Sequence, residues 1–234
     1  MRIYFSSPNS QLQAHIVNGH SVLLSYAICK SSKWIMDYVS SFDRLLIDSG
    51  AFTEMTQGKS LSVEEYADWA EQFTSKADAI AGLDDIGGDW RRSMSNYEKF
   101  PQGFPTFHDT DPPELLDELI CMAQERPSKW IGLGLKPPRK GKRDWVYSAI
   151  DRIPSNLHIH GWALREHPHS RMASSDSTNW WRDGFRYKKI LPFLSYAECL
   201  ELVIKRYQRE VFEAELGIHE EENSGQADFA FGGP

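Results

Sequence analysis

Arg44-Leu45-Leu46-Ile47-Asp48-Ser49-Gly50-Ala51-Phe52 is the stretch on which the fold turns. Leu45, Leu46 and Ile47 run together without polar alternation, so both faces of the segment need cover. A parallel strand packed beneath helices meets that need. The apolar run then stops at a carboxylate, a hydroxyl and a glycine, the chemistry of a strand end opening onto a loop.

Working outward, seven further runs share this character: Ile3–Ser7, Ser21–Tyr26, Ala79–Asp85, Phe104–Asp109, Trp130–Leu135, Leu157–Trp162 and Met172–Ser177. Helix signals lie between them. Ser62-Val63-Glu64-Glu65 is a capping box ahead of Tyr66, Trp69, Ala70 and Phe73. Asp111-Pro112-Pro113 places a cap before a proline at the first helical position. Asp89 reads as another cap. Ser195-Tyr196-Ala197-Glu198 opens the longest helix, with Leu200, Val203, Ile204, Tyr207 and Val211 inward and Gly217 as its stop.

Eight strands alternating with helices predict a compact α/β (β/α)8 TIM barrel over residues 1–218. A doubly wound sheet is the competing architecture, but no GxGxxG or GxxxxGK[ST] follows any strand. Residues 219–234, with Glu220-Glu221-Glu222 and then Gly, Ser and Gln, read as an acidic flexible tail.

Hydrophobic residues form 41% of the 234 and charged residues 25%, enough apolar surface for a packed core. No apolar run approaches the ~18 residues of a membrane span, and the start turns polar too early for a signal peptide. Cys29, Cys121 and Cys199 are too scattered for a disulfide framework or a CxxC zinc site, which fits a reducing cytoplasm. The net charge of −7 excludes a non-specific coat for nucleic acid, so any such contact needs a local basic patch.

In a barrel the reacting groups stand at the C-terminal ends of strands, and here polar residues collect there. They are Asp48-Ser49-Gly50-Ala51-Phe52, Asp84-Asp85, His108-Asp109, Gly134-Leu135, His158-Ile159-His160-Gly161 and Asp176-Ser177-Thr178. A buried carboxylate is costly unless paired or hydrogen-bonded, so these acids need solvent or a task. Each also has a plain reading as a helix cap, and each glycine as a turn. His158 and His160 face one way on a strand and suit metal ligation, although a strand histidine is more often a hydrogen-bonded core residue.

Taken in order, these segments resemble the tRNA-guanine transglycosylase superfamily. Asp48-Ser49-Gly50-Ala51-Phe52 is similar to its DSGGF segment, with Ala51 where the family has a second glycine. Asp84 or Asp85 matches the aspartate after its fourth strand, and His108 the base-reading residue after its fifth. Gly134-Leu135 and His160-Gly161 match the pairs on its sixth and seventh strands, and Asp176 the nucleophile that ends its eighth. The correspondence spans roughly residues 3–212, in short motifs. The tRNA enzymes carry a zinc subdomain whose cysteines have no counterpart here, so the chain resembles the short, phage-type members, related to enzymes that insert 7-deazaguanine bases into DNA.

The resemblance implies a pentosyltransferase acting in a cytoplasm, that of a bacterial host if phage-encoded. It exchanges guanine in a nucleic acid, DNA rather than tRNA, for a 7-deazaguanine such as a preQ0-type base. No cofactor or metal is implied. Asp176 attacks the sugar and Asp48 handles protons; Ser49, Gly50, Phe52, Asp84, Asp85, His108, Gly134, Leu135, His160 and Gly161 hold the base. The target base must be flipped from a duplex or taken from a single strand. Lys136, Arg139, Lys140, Lys142 and Arg143, five basic residues in eight after the sixth run, are the candidate phosphate contacts. Trp180 and Trp181 suit either base stacking or core packing. Three other readings stay open: a metal-dependent barrel hydrolase using His158, His160 and Asp176, a glycosidase or nucleoside deoxyribosyltransferase acting on free nucleosides, and a non-catalytic nucleic-acid-binding barrel.

Overall fold

The computed structural model describes residues 1–215 other than 59, 87, 137–140, 166 and 178. Eight strands are present among them: β1 (Arg2–Ser6), β2 (Ser21–Ser25), β3 (Arg44–Asp48), β4 (Ala79–Ile80), β5 (Thr106–His108), β6 (Trp130–Gly134), β7 (His158–Trp162) and β8 (Met172–Ser177). All named pairings are parallel, and the order is β4-β3-β2-β1-β8-β7-β6-β5. Sequence neighbours are therefore spatial neighbours, and β1 lies beside β8. A doubly wound sheet reverses its order midway and cannot produce this arrangement. The result is a curled, TIM-barrel-like α/β fold.

The strands are buried on both faces, and successive residues turn to opposite faces with period two. Tyr4, Leu23, Leu46, Ala79, Ala81, Phe104 and Trp130 pack on one another inside the curl. Their strand neighbours Ile3, Phe5, Val22, Leu24, Leu45 and Ile47 face outward under the helices Val63–Glu71 and Tyr196–Glu215. On the other side, Phe107, Ile131, Leu133 and Ile159 pack beneath the helices Leu115–Glu125 and Arg143–Arg152. Continuous apolar strands arise because both faces are covered in this way.

The edges β4 and β5 meet through a single parallel bridge, Ala81 with Phe104. The Gly82 N–H donates to Phe104 O (2.8 Å), and the Phe104 N–H to Ile80 O (2.7 Å). The fourth run, read as a strand to Asp85, leaves the ladder early. Helix Trp90–Lys99 takes up its polar groups instead: Asn96 donates to Leu83 O (3.1 Å), and the Asp85 N–H donates to Ser93 Oγ (2.8 Å). The buried Arg126 donates to Phe100 O, Gly103 O and Tyr97 O, closing the seam from outside.

The capping reading holds at Ser195, which accepts from the Glu198 N–H (3.2 Å) and donates its own N–H to Glu198 (2.6 Å). Ser62 accepts from the Glu65 N–H, and Asp89 from the Arg91 N–H. It fails at Asp111. The helix there begins at Leu115, and the Asp111 carboxylate turns back to accept the His108 N–H (2.7 Å). The Gly217 stop and the acidic tail fall outside the described residues. Among the described residues no helix is long and apolar enough to cross a membrane.

Candidate active site

A cavity of about 520 Å³ opens at the C-terminal ends of the strands. Asp48, Gly50, Phe52, Asp84, His108, Gly134, Leu135 and Asp176 line it, although they come from five strand ends. Convergence follows from parallel topology, since every strand delivers its last residue to the same mouth.

Asp48 ends β3. Gly50 follows in the left-handed region (φ 84°), which turns the chain sharply into helix Ala51–Gln57 and sends its N–H back to the Asp48 carboxylate. The Ser25 hydroxyl at the end of β2 also bonds Asp48. Burial nevertheless pushes the Asp48 carboxyl up to about 7, and the nearby Asp84 and Asp176 charges add to the rise.

Asp176 lies on β8 between β1 and β7. Ser6 on β1 donates to Oδ2 (2.9 Å), and the Ala163 N–H donates to Oδ1 (2.6 Å). Ala163 holds a positive φ of 53°, an unfavourable conformation for a residue with a β-carbon. That turn aims its N–H into the carboxylate. Burial favours the neutral acid, but the His160 imidazole, the Ala163 N–H and the Ser6 hydroxyl outweigh it. Together they hold Asp176 below the usual carboxylate range. Asp176 caps no helix; helix Trp180–Ile190 begins from Asn179.

His108 Nε2 lies 2.6 Å from Asp84 Oδ2, and both side chains are buried. Burial opposes charging of His108, but Asp84, Asp111 and Asp109 overcome it and raise its pKa above the ordinary value. Its Nδ1 lies buried with no hydrogen-bond partner, against Gly134. Asp84, not Asp85, is therefore the acid facing the cavity. Asp85 lines a neighbouring recess and pairs with Arg92 at 3.4 Å.

Four residues expected around the base do not line the cavity: Ser49, Asp85, His160 and Gly161. Ser49 is buried, its hydroxyl accepting the Ala51 N–H (3.4 Å). Gly161 is buried against Met172. His160 is fully enclosed behind Asp176, with Nε2 3.6 Å from Asp176 Oδ1. His158 sits exposed at the opposite end of β7, tilted against Trp130, because two residues along a strand span nearly 7 Å. Among the described residues no group of three His, Cys, Asp or Glu side chains is placed to hold a metal ion.

The basic loop is only partly described. Arg139 and Lys140 lie outside the described residues. Lys142 forms an ion pair with Asp109, whose other oxygen accepts the Lys136 N–H (2.7 Å). Arg143 donates to the Tyr147 hydroxyl (3.1 Å). None of Lys136, Lys142 and Arg143 lines the cavity. The adjoining tryptophans divide: Trp180 is fully buried and donates to Ser6 O, whereas Trp181 lines the cavity.

Sequence reasoning passed over Ser6, Ser25, Trp162, Arg165 and Arg182, all of which line the cavity. Ser6 and Ser25 carried the same strand-end signal as the aspartates, muted because a serine hydroxyl is cheap to bury. Arg182 had no such signal, standing two residues into a helix with its guanidinium over the Trp181 ring. The chain matches no protein-family model and no curated protein.

Proposed function

We propose that this chain is a base-exchange transglycosylase on a compact (β/α)8 barrel without a zinc subdomain. It replaces guanine in a nucleic acid, DNA in preference to tRNA, with a 7-deazaguanine such as a preQ0-type base. The observation that carries the reading is a pair of carboxylates in one cavity whose surroundings displace them in opposite directions. Asp48 is raised to about 7 and Asp176 is lowered. Two carboxyl groups driven apart in this way divide acid and nucleophile between them.

Asp176 attacks C1′ of the nucleotide. A C1′–O bond forms, the C1′–N bond breaks, and its electron pair leaves on the guanine, which takes a proton from the Asp48 carboxylic acid. The incoming base then gives its ring N–H proton to the Asp48 carboxylate and attacks C1′. The C1′–O bond breaks and Asp176 is restored. His108, held protonated by Asp84, offers Nδ1–H to the base carbonyl, and Asp84 keeps Oδ1 for the base's donors. Trp181 provides a ring for stacking, and Arg182 a cation at the rim for phosphate.

A reading as a deoxyribosyltransferase or glycosidase for free nucleosides draws on Lys142, which is committed to Asp109 rather than to a polyanion. One assay separates the two. The protein is incubated with labelled guanine or 7-deazaguanine base and, in separate reactions, DNA, tRNA and free nucleosides. Label entering DNA is the expected result. Label entering nucleosides alone supports the second reading, and label entering nothing rejects base exchange.

A further inference from the structure

His160 is a histidine with almost nothing polar around it. It is fully buried, and its ring is enclosed by Tyr4 (6.1 Å between centroids), Phe104 (6.5 Å) and Trp162 (4.4 Å). Its polar neighbours are two residues of β8: Ser174 Oγ, 2.8 Å from Nδ1, and Asp176 Oδ1, 3.6 Å from Nε2. Nε2 makes no hydrogen bond. A buried polar nitrogen left unsatisfied is costly, and such groups tend to be tied to a task. The side chain does not reach the cavity, so it does not touch the base.

The geometry points to His160 as a positioning residue for Asp176. The Ser174 hydroxyl holds Nδ1 and so orients the ring with Nε2 directed at Asp176 Oδ1, where an Nε2 proton faces the carboxylate. The inference rests on Asp176 being the nucleophile of the proposed exchange. In the resting enzyme the Nε2–H favours the carboxylate anion, with the Ala163 N–H on the same oxygen. When Asp176 becomes an ester, its negative charge disappears. The imidazole, held by Ser174 and its aromatic walls, remains in place to receive the carboxylate when the ester breaks. The titratable groups facing His160 are Asp176 and the Tyr4 phenol, and the phenol hydroxyl donates away from it, to Asp78 (2.7 Å). Among the described residues, the rest of the ring lies against the aromatic walls of Tyr4, Phe104 and Trp162.

The test replaces His160 with Leu, which removes the donor, and with Gln, whose amide nitrogen reaches the place of Nε2. Carboxyl carbon NMR of protein labelled at aspartate reads the titration of Asp176 directly, in the absence of substrate. In His160→Leu the Asp176 midpoint rises by about one pH unit or more, and His160→Gln restores most of the difference. Base exchange follows, with kcat down about 10- to 100-fold in the Leu variant and KM for the nucleic acid within about twofold. An Asp176 titration unchanged in His160→Leu overturns the inference, as does a Gln variant no better than Leu. Where His160→Leu does not fold, Ser174→Ala replaces it. Releasing Nδ1 frees the ring and raises the Asp176 midpoint in the same direction, and an unmoved midpoint overturns the inference equally. A shifted midpoint in a protein whose wild type exchanges no base rejects the transglycosylase reading and leaves the His160–Asp176 coupling standing.

Discussion

His108 Nε2 and Asp84 Oδ2 stand 2.6 Å apart, buried, joined from two strand ends that touch only at the seam of the sheet. Arg126 and the Ala81–Phe104 bridge hold those two ends in register. The pair is thus both part of the cavity and a tie across its weakest edge.

Asp84→Asn removes the charge that keeps His108 protonated. His108 has a folded pKa above its unfolded value, so its contribution is full below about 6.5 and is lost as pH rises through the folded value. The substitution is expected to cost about 1–3 kcal/mol at pH 6, and less at pH 9. Urea unfolding of both proteins at the two pH values measures the gap; a gap that widens at pH 9 contradicts the assignment.

Asp48 gives a pH dependence of the same sign, but its replacement has the opposite effect on stability. Its folded value of about 7 exceeds its unfolded value, so the wild type loses stability as pH rises from about 4 to 7. Asp48→Asn is expected to be the more stable protein above pH 7, by roughly 2–4 kcal/mol. Its exchange activity falls about 10²- to 10⁴-fold. The wild-type kcat/KM profile should descend on its alkaline side near pH 7 and lose that limb in the variant. Thermal melts at pH 8 and a pH–rate series check both halves.

Asp176→Asn keeps the contacts that hold residue 176. The amide oxygen still accepts the Ala163 N–H, and the amide nitrogen can donate to Ser6 Oγ. Melting within a few degrees of wild type is expected, with exchange reduced by about 10³-fold or more. Incubation of the wild type with nucleic acid should yield a covalent adduct on denaturing gels, which the variant lacks. Near-normal exchange by Asp176→Asn removes this residue from the chemistry.

Gly103→Ala probes the seam. A β-carbon at Gly103 would lie 2.8 Å from Gly82 Cα, and neither backbone can yield without breaking the Phe104 bonds. A loss of about 1–3 kcal/mol is expected, with hydrogen exchange accelerated first at Gly82 and Phe104. Protection unchanged at those amides would show that the seam tolerates opening.

Much of the architecture was legible from local signals. Runs such as Arg44–Asp48 and Trp130–Gly134 betray themselves because a strand covered on both faces admits no polar alternation. Ser195 and Glu198 satisfy each other within one turn, so their cap was readable too. Asp111 misled because its oxygen found a nearer donor, the His108 N–H, than the helix it precedes.

The sequence by itself determined the eight apolar strands, their order of polar ends, and hence the set of residues from which a site had to be drawn. Local chemistry suffices for that, since burial on two faces and capping act over a few residues. Only the tertiary structure decided the division of labour within that set. It chose Asp84 over Asp85, sent Lys142 to Asp109, turned Trp180 into the core and Trp181 toward the cavity, and placed His160 behind Asp176 instead of on the base. Each of those outcomes depends on the curl of the sheet, which brings β1 beside β8 and sets which face of every strand end looks inward. A polar group's partner is fixed by distances of 3–4 Å between segments that can be 170 residues apart, as Ser6 and Asp176 are, and no local pattern encodes such a distance.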